Sequence, residues 1–437
     1  MTAADPHAIE HEMAPELQAF YANRPLMWRN ILWFSILNVG WSVCFTIIYP
    51  LITLRMNSPE VGMGEGLIGT IGSVNGYAVS FLVMYFSWKS DHTISRWGRR
   101  IPFLWISAPG IILPLLLFPF FANKWILVGL MIMQLFFMDI KASTISLLPI
   151  DLAPRPLLAR TMAIQGVILG LLGFLVLRYG MQLSDYSEKL PFLFAAVILA
   201  LSTIVGGFGI KEPPIQTPAT EPFKPWSALQ VGFRDRRRIV LMLSVPMIGA
   251  TFTMYNAWLW LFAKNELGLT RTDMGAALSW SSLLGLVLSM PYAWLIDKIN
   301  PYKLVALGLF LQFILFLALL NIHSANGLIV VSFLFAASSG IGGVASIVVF
   351  RAAHPAEVGS VTSCLGFVNN FFNATLLLVS GQLIERLGHN YHAAYILGIC
   401  LSALGFAVLL TYRQLTTSTP VRGVMAKPAL KPSDLIT

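Results

Sequence analysis

Charged side chains are scarce in this sequence. They make up 11% of the 437 residues, whereas a soluble domain usually carries about 25%. Hydrophobic residues make up 56% of the chain, and they form unbroken blocks of about 20 residues, the length of helix that spans a hydrocarbon core. A soluble amphipathic helix would alternate apolar and polar faces. The sequence therefore predicts an all-α protein that crosses a membrane many times.

Cysteines and catalytic motifs are equally sparse. Cys44, Cys364 and Cys400 lie far apart in apolar blocks, which argues against a disulfide framework or a CxxC metal site. The sequence has no HExxH, GxSxG or metal-ligand cluster, so we expect neither an enzyme nor a bound cofactor. The net charge is +9, but the lysines and arginines do not form a basic stripe. We therefore expect no nucleic-acid partner. The acidic first residues predict no cleaved signal peptide.

Twelve apolar blocks divide the chain into two halves. We expect an N-terminal segment at residues 1–30, a first six-helix bundle at 31–210, a polar linker at 211–238, a second bundle at 239–412 and a tail at 413–437. Most lysines and arginines fall on the side of the termini and the linker, and this excess marks the cytoplasmic side. The sequence therefore predicts a monomeric, multi-pass protein of a bacterial inner membrane, with membrane lipid around it and both termini cytoplasmic.

The two halves share a short sequence echo. Trp88-Lys-Ser-Asp91 follows the second apolar block, and Trp294-Leu-Ile-Asp297 follows the eighth, with Lys298 next. An internal repeat of two bundles is typical of transporters whose halves rock about a central site, which is called alternating access. We therefore expect Asp297 and Lys298 to act in gating, as a counterpart of the loop after the second block.

That loop carries the most specific motif of the chain. It holds Asp91, Arg96, Gly98, Arg99 and Arg100 within ten residues. An acid, a glycine and three arginines in a tight loop predict a charge-paired latch that breaks and re-forms as the halves move. The alternative is that these charges only set the topology of the chain.

The spacing D-x4-R-x-G-R-R-x-P-F resembles the corresponding loop of the major facilitator superfamily. More narrowly, it resembles the glycoside-pentoside-hexuronide symporters, which include sucrose-transporter and melibiose-permease branches. Further similarity lies in the first, fourth and fifth apolar blocks, at Gly40, Trp41, Asp139 and Arg160. The resemblance implies two pseudo-symmetric six-helix bundles, transport of a sugar or glycoside, and a gating role for Arg160.

Two ionisable residues fall deep inside the fourth apolar block. Asp139 is a candidate proton carrier or acceptor for a substrate hydroxyl, since an acid inside a membrane is functional by default. Lys141 is a candidate tuner of that acid or a substrate donor, although each residue could instead orient helices. The second block lacks the acids of the sodium-coupled branch, and bare sodium needs several oxygen ligands. We therefore expect a proton as the coupling ion, with sodium or no coupling as alternatives.

Polar and aromatic residues in other apolar blocks are candidates for binding a sugar, because amides pair with hydroxyls and aromatic rings cover an apolar sugar face. Each of them could instead bridge helices. These candidates are Asn38, Trp41, Asn75, Gln165, Tyr255, Asn256, Trp258, Asn369, Asn370 and Asn373. The sequence thus favours a transporter of a small sugar or glycoside. The alternatives are a transporter of a lipid or other amphiphile, or a non-transporting receptor or assembly factor on the same fold.

Overall fold

The computed structural model describes residues 15–153, 155–214, 225–298, 301–351 and 358–417. These residues are helical throughout apart from loops, and no strand occurs among them. Twelve of the helices are long, and we label them in chain order. They are α1 Arg24–Met56, α2 Glu65–Asp91, α3 Ile101–Leu117, α4 Lys124–Leu152, α5 Arg155–Tyr186, α6 Leu190–Gly209, α7 Arg236–Asn265, α8 Arg271–Lys298, α9 Pro301–Leu319, α10 Ala325–Arg351, α11 Val358–Arg386 and α12 His392–Thr417.

The long helices have the composition of membrane spans. Ten of them contain an apolar window of spanning length within the described residues, and α10 contributes a shorter apolar stretch, Ala325–Ser339. On α6, one stripe of large apolar side chains is exposed on the outside of the bundle, at Leu193, Val197, Leu201, Ile204 and Phe208. Lipid rather than water is the solvent that favours such a stripe. The structure confirms the predicted all-α fold: twelve long helices form two six-helix bundles, and ten of these helices have the length and composition of a membrane span within the described residues.

Local sequence explains several helix ends. The Asn123 side chain accepts hydrogen bonds from the backbone N–H groups of Trp125 and Ile126, and so caps α4. Thr270 and Asp273 form a reciprocal capping pair at the start of α8. Inside α1, residues Cys44–Ile48 form a π-helical turn just before Pro50, since proline has no N–H to continue the regular ladder.

The two bundles contact each other along two seams. The α2 helix packs against α11, and α5 packs against α8. Small residues permit this close approach. A Cβ atom added at Gly69 of α2 would lie 2.6 Å from the Leu377 carbonyl oxygen of α11, and one added at Gly170 of α5 would lie 2.9 Å from the Ser282 carbonyl oxygen of α8.

The alternating direction of the helices gives the molecule two faces. We call the face with the α2–α3 loop, the α4–α5 loop and the α6–α7 linker the linker face, and the opposite one the far face. The linker contains a short helix, Pro225–Gly232, that packs on α11. That the linker face is cytoplasmic stays a prediction.

Candidate functional site

The acid predicted from the sequence lies between two helices of the first bundle. Asp139 is on α4, and its carboxylate accepts a hydrogen bond from the Asn75 amide of α2 at 3.3 Å. Tyr49, which follows the π-turn of α1, lies within electrostatic reach of the same carboxylate. Three helices of the first bundle therefore bring polar groups together around Asp139, deep in the apolar part of the fold.

Lys141 faces a different helix from Asp139. Its side chain is fully buried, and its ammonium group donates to the Thr203 hydroxyl of α6 at 3.0 Å. Residues two apart on a helix are separated by about 200° around its axis, so the two ionisable groups of α4 point to different neighbours. This contact orients α4 against α6.

The predicted aromatic candidates on α7 pack inside the second bundle. The Trp258 indole donates to the Ser380 hydroxyl of α11 at 2.7 Å, and the Tyr255 ring stacks on Phe335 of α10 with 4.0 Å between ring centroids. Asn256 is exposed and its amide donates to the Phe252 carbonyl oxygen one turn earlier. These contacts hold helices of the second bundle together.

The remaining candidates lie on α1, α5 and α11. On α1, Asn38 and Trp41 are partly buried, and Trp41 packs against the apolar core of the first bundle. Asn369 of α11 lies against α7, because a Cβ added at Gly249 would meet its side-chain oxygen at 2.2 Å. Asn370 and Asn373 are also partly buried.

Several buried polar atoms in the described residues have no hydrogen-bond partner, which is costly unless water or a ligand satisfies them. Those within the spans include Gln134 Oε1, Gln165 Nε2, Tyr255 OH, Asn373 Oδ1 and Tyr395 OH. Gln165, Tyr255 and Asn373 were predicted, whereas Gln134 and Tyr395 were missed. The sequence feature that could have identified Gln134 as a candidate is its position as a polar residue in an apolar stretch, two turns before Lys141.

Gln134 also lines a small pocket beside the π-turn of α1. The pocket lies between α1 and α4 and has room for about one water molecule. Its lining residues are Tyr49, Ile52, Met131, Gln134, Leu135 and Met138. π-Turns are frequent at functional sites, and this one places polar groups of α1 beside those of α4.

The loop after α2 forms a charge cluster on the linker face. The Arg100 side chain is 4% exposed and is held by three groups: the Asp151 carboxylate, the Asp91 carboxylate at 2.9 Å and the Ser90 hydroxyl at 2.8 Å. Arg99 donates to the other oxygen of Asp151 at 2.5 Å. Burial acts to lower the pKa of Arg99, but Asp151 and Asp91 outweigh it and raise that pKa above its usual value.

Glu212, just after α6, completes this cluster. Its carboxylate accepts hydrogen bonds from the backbone N–H groups of Arg99, Arg100 and Ile101 at 2.8 to 3.0 Å, and so caps α3 from a distant part of the chain. Burial raises the pKa of Glu212 despite these bonds, which act to lower it. Gly98 adopts φ of +108°, and a Cβ there would lie 2.6 Å from the Glu212 carboxyl carbon.

We call Asp91, Arg99, Arg100, Asp151 and Glu212 the linker-face cluster. All five belong to the first half of the chain, so their mutual bonds do not cross between the halves. Asp151 and Glu212 were not among the predicted gating residues, although both flank apolar blocks near basic residues.

Of the other predicted gating residues, only Arg96 has a described side chain, and no bond of it to the linker-face cluster is among the described contacts. Arg96 is exposed and its guanidinium lies 5.1 Å from the centroid of the Trp97 ring. The side chains of Arg160, Asp297 and Lys298 lie outside the described residues.

Comparison with known proteins agrees with this architecture. Residues 241–433 match the family model described as Major Facilitator Superfamily. The crystal structure of the nucleoside transporter NupG is 11% identical, with a TM-score of 0.67 over 89% of this chain and 98% of that chain. That of the human organic anion transporter MFSD10 (TETRAN) is 16% identical, with a TM-score of 0.63 over 91% of this chain and 100% of that chain. The sequence has no significant match among curated proteins.

At these identities the likeness shows the fold and not the solute. The chain therefore has the major facilitator fold. That it works as a transporter and not as an enzyme stays a prediction. The narrower resemblance to glycoside-pentoside-hexuronide symporters stays a prediction.

Proposed function

We propose that this protein is a secondary active transporter that carries a sugar or glycoside across a bacterial inner membrane by alternating access, coupled to protons. The observation that carries the proposal is the Asp139 carboxylate, which lies deep in α4 and bonds the Asn75 amide of α2. An ionisable group at such depth commonly belongs to a substrate or proton pathway. One carboxylate suffices to bind a proton, whereas sodium needs several oxygen ligands.

Buried polar atoms without a partner on α5, α7 and α11 support a hydroxyl-bearing solute. Gln165, Tyr255 and Asn373 each hold a buried polar atom without a partner, and such atoms suit a ligand that both donates and accepts hydrogen bonds. NupG is named a nucleoside transporter, and a nucleoside is a glycoside of a base, so it falls within the proposed class. An organic anion, the cargo named for MFSD10, is the alternative that the uptake experiment below distinguishes.

The distribution of basic residues supports the proposed orientation. Lysines and arginines are in excess on the linker face and the adjoining termini, and cytoplasmic loops carry such an excess. We accordingly place the linker face in the cytoplasm and propose that the working unit is one chain.

Uptake into proteoliposomes tests the solute class. The purified protein is reconstituted and offered radiolabelled monosaccharides, disaccharides, glycosides, uronides and nucleosides, and separately a lipid and a non-sugar organic anion, with and without a pH gradient. We expect at least one of them to accumulate only when the gradient is present. Accumulation of a lipid or an organic anion instead, with none of these sugars, would overturn the proposed solute class and leave transport intact.

Asp139→Asn tests the coupling role. The variant keeps the size of the side chain and its bonding with Asn75 but cannot release a proton, so we expect gradient-driven accumulation to be lost while exchange of solute across the membrane remains. The matched control is Asp273→Asn, at an exposed acid in the first turn of α8, which we expect to accumulate normally. Full accumulation by Asp139→Asn would exclude the coupling assignment.

A further inference from the structure

A buried carboxylate marks the far face at the seam between α2 and α11. Glu65 is the first residue of α2, and its side chain is only 1% exposed. Carboxylates are rarely buried to this degree unless they are paired. The hydrogen-bond partners of Glu65 are therefore the groups that stabilise this part of the far face.

Two of those partners belong to the other half of the protein. The Tyr391 hydroxyl donates to Glu65 Oε1 at 2.6 Å, and His389 Nδ1 lies 2.7 Å from Glu65 Oε2. A third, weaker contact comes from the first half, where the Asn57 amide donates to Glu65 at 3.4 Å. Hydrogen bonds to an ionised acceptor are stronger than neutral ones. The short contacts of Glu65 are thus those that cross between the halves.

The second half holds its two groups in place with further bonds. The Asn265 amide at the end of α7 donates to the Tyr391 hydroxyl at 2.7 Å, and the Tyr391 backbone N–H donates to Glu266. Burial and the nearby Glu65 raise the pKa of Tyr391, so the phenol stays protonated and acts as a donor. Tyr391 is itself 1% exposed.

The turn after α11 aims His389 at α2. His389 has φ of +63° and Gly388 has φ of +73°, and the His389 N–H donates to the Ile384 carbonyl oxygen at 2.8 Å. Helices commonly end with a glycine in the left-handed conformation, as Gly388 does here. A positive φ at a residue other than glycine, such as His389, is uncommon. Backbone strain of this kind is retained where the surroundings require it.

We infer that Glu65 is the gate residue of the far face, closing it by bonding Tyr391 and His389 across the seam and releasing them when the halves separate. Opening removes the two partners supplied by the second half and exposes the carboxylate to water, which replaces them. The bonds are therefore breakable without leaving a buried, unpaired charge. The inference rests on alternating access as proposed above, but it does not depend on which solute is carried.

Distances between spin labels on the far face measure the gate directly. Labels are attached at cysteines introduced at Tyr186 at the end of α5 and Leu387 after α11, which are 83% and 57% exposed. Cys44, Cys364 and Cys400 are replaced so that only the introduced sites react. Since the measurement needs no solute, it can succeed or fail separately from the uptake experiments.

We expect Glu65→Gln to raise the ratio of far-open to far-closed protein by about tenfold or more, since it removes the charge that strengthens both bonds. Tyr391→Phe should shift the ratio in the same direction, and the double variant should shift it by less than the product of the two single effects. The matched control is Glu60→Gln, an exposed acid of the same face that pairs with Arg55 inside the first half, and it should match the wild type.

A Glu65→Gln variant with wild-type distances would overturn the inference, as would equal shifts in Glu65→Gln and Glu60→Gln. If Glu65→Gln does not fold, Tyr391→Phe decides alone, because it removes one hydroxyl and leaves the carboxylate in place. In that case unchanged distances in Tyr391→Phe would overturn the inference.

Discussion

The two faces of the molecule use their charged groups in different ways. On the linker face, Asp151 and Glu212 join the α2–α3 loop to the ends of α4 and α6, all within the first half. On the far face, Glu65 bonds His389 and Tyr391 of the second half. The first arrangement stabilises one bundle internally, whereas the second connects two bundles that separate in the alternating-access mechanism proposed above.

Alternating access needs both properties. The halves must move as rigid bodies, and the contacts between them must be breakable. The sequence motif of the α2–α3 loop predicted a breakable latch on the linker face. The structure gives the described charges of that loop partners within their own half instead, and places a breakable polar contact at the opposite face. The following changes test this division of roles.

Loss of Asp151 should have the largest effect on stability. Asp151→Ala leaves Arg99 and Arg100 without their shared carboxylate, and breaking a buried ionic contact typically costs about 3–5 kcal/mol. We expect a clear fall in the thermal unfolding temperature of the purified protein. The spin-label distances on the far face should stay unchanged at temperatures where the variant is folded.

The matched control for this variant is Arg96→Ala, at an exposed residue that lies over the Trp97 ring, where we expect little change in unfolding temperature. A shift of the far-face distances in Asp151→Ala, without loss of stability, would show that the linker-face cluster acts between the halves.

A methyl group at Gly69 should affect the far face by an intermediate amount. Its Cβ would lie 2.6 Å from a backbone carbonyl oxygen of α11, which cannot move aside as a side chain can. Overpacking of this kind costs about 1–3 kcal/mol, and in Gly69→Ala it should favour separation of α2 from α11. The label distances should therefore report a larger far-open fraction.

Gly72→Ala provides the control on the same helix. Its Cβ would come no nearer than 3.4 Å, to the end of the Leu377 side chain, which is an ordinary contact. We expect wild-type distances in that variant. Equal behaviour of the two alanine variants would mean that the seam is not closely packed at Gly69.

The fold could be predicted from the sequence more completely than the contacts between side chains could. Apolar blocks of spanning length give twelve helices because bilayer thickness sets helix length, and Asp139 stands out because an acid is rare in such a block. Partners are harder to predict. Arg100 and Asp151 are 51 residues apart, and Glu65 and Tyr391 are 326 apart. Glu65 and His389 look like ordinary loop residues in the sequence, since only helix packing brings them together and buries the carboxylate.

The smallest effect should come from the rim of the α5–α8 seam. Arg271 of the second half donates to Glu188 of the first half at 2.8 Å, but the Glu188 side chain is 56% exposed. Exposed ion pairs contribute about 0–1 kcal/mol, so Arg271→Ala should shift the far-face distances much less than Glu65→Gln. Salt at about 0.5 M should remove the difference from the wild type, because it screens exposed charges.

Lys189→Ala serves as the control, since that ammonium lies 4.4 Å from the centroid of the Phe120 ring in its own half. A shift in Arg271→Ala as large as that in Glu65→Gln would assign the closing of the far face to this exposed pair rather than to the buried carboxylate.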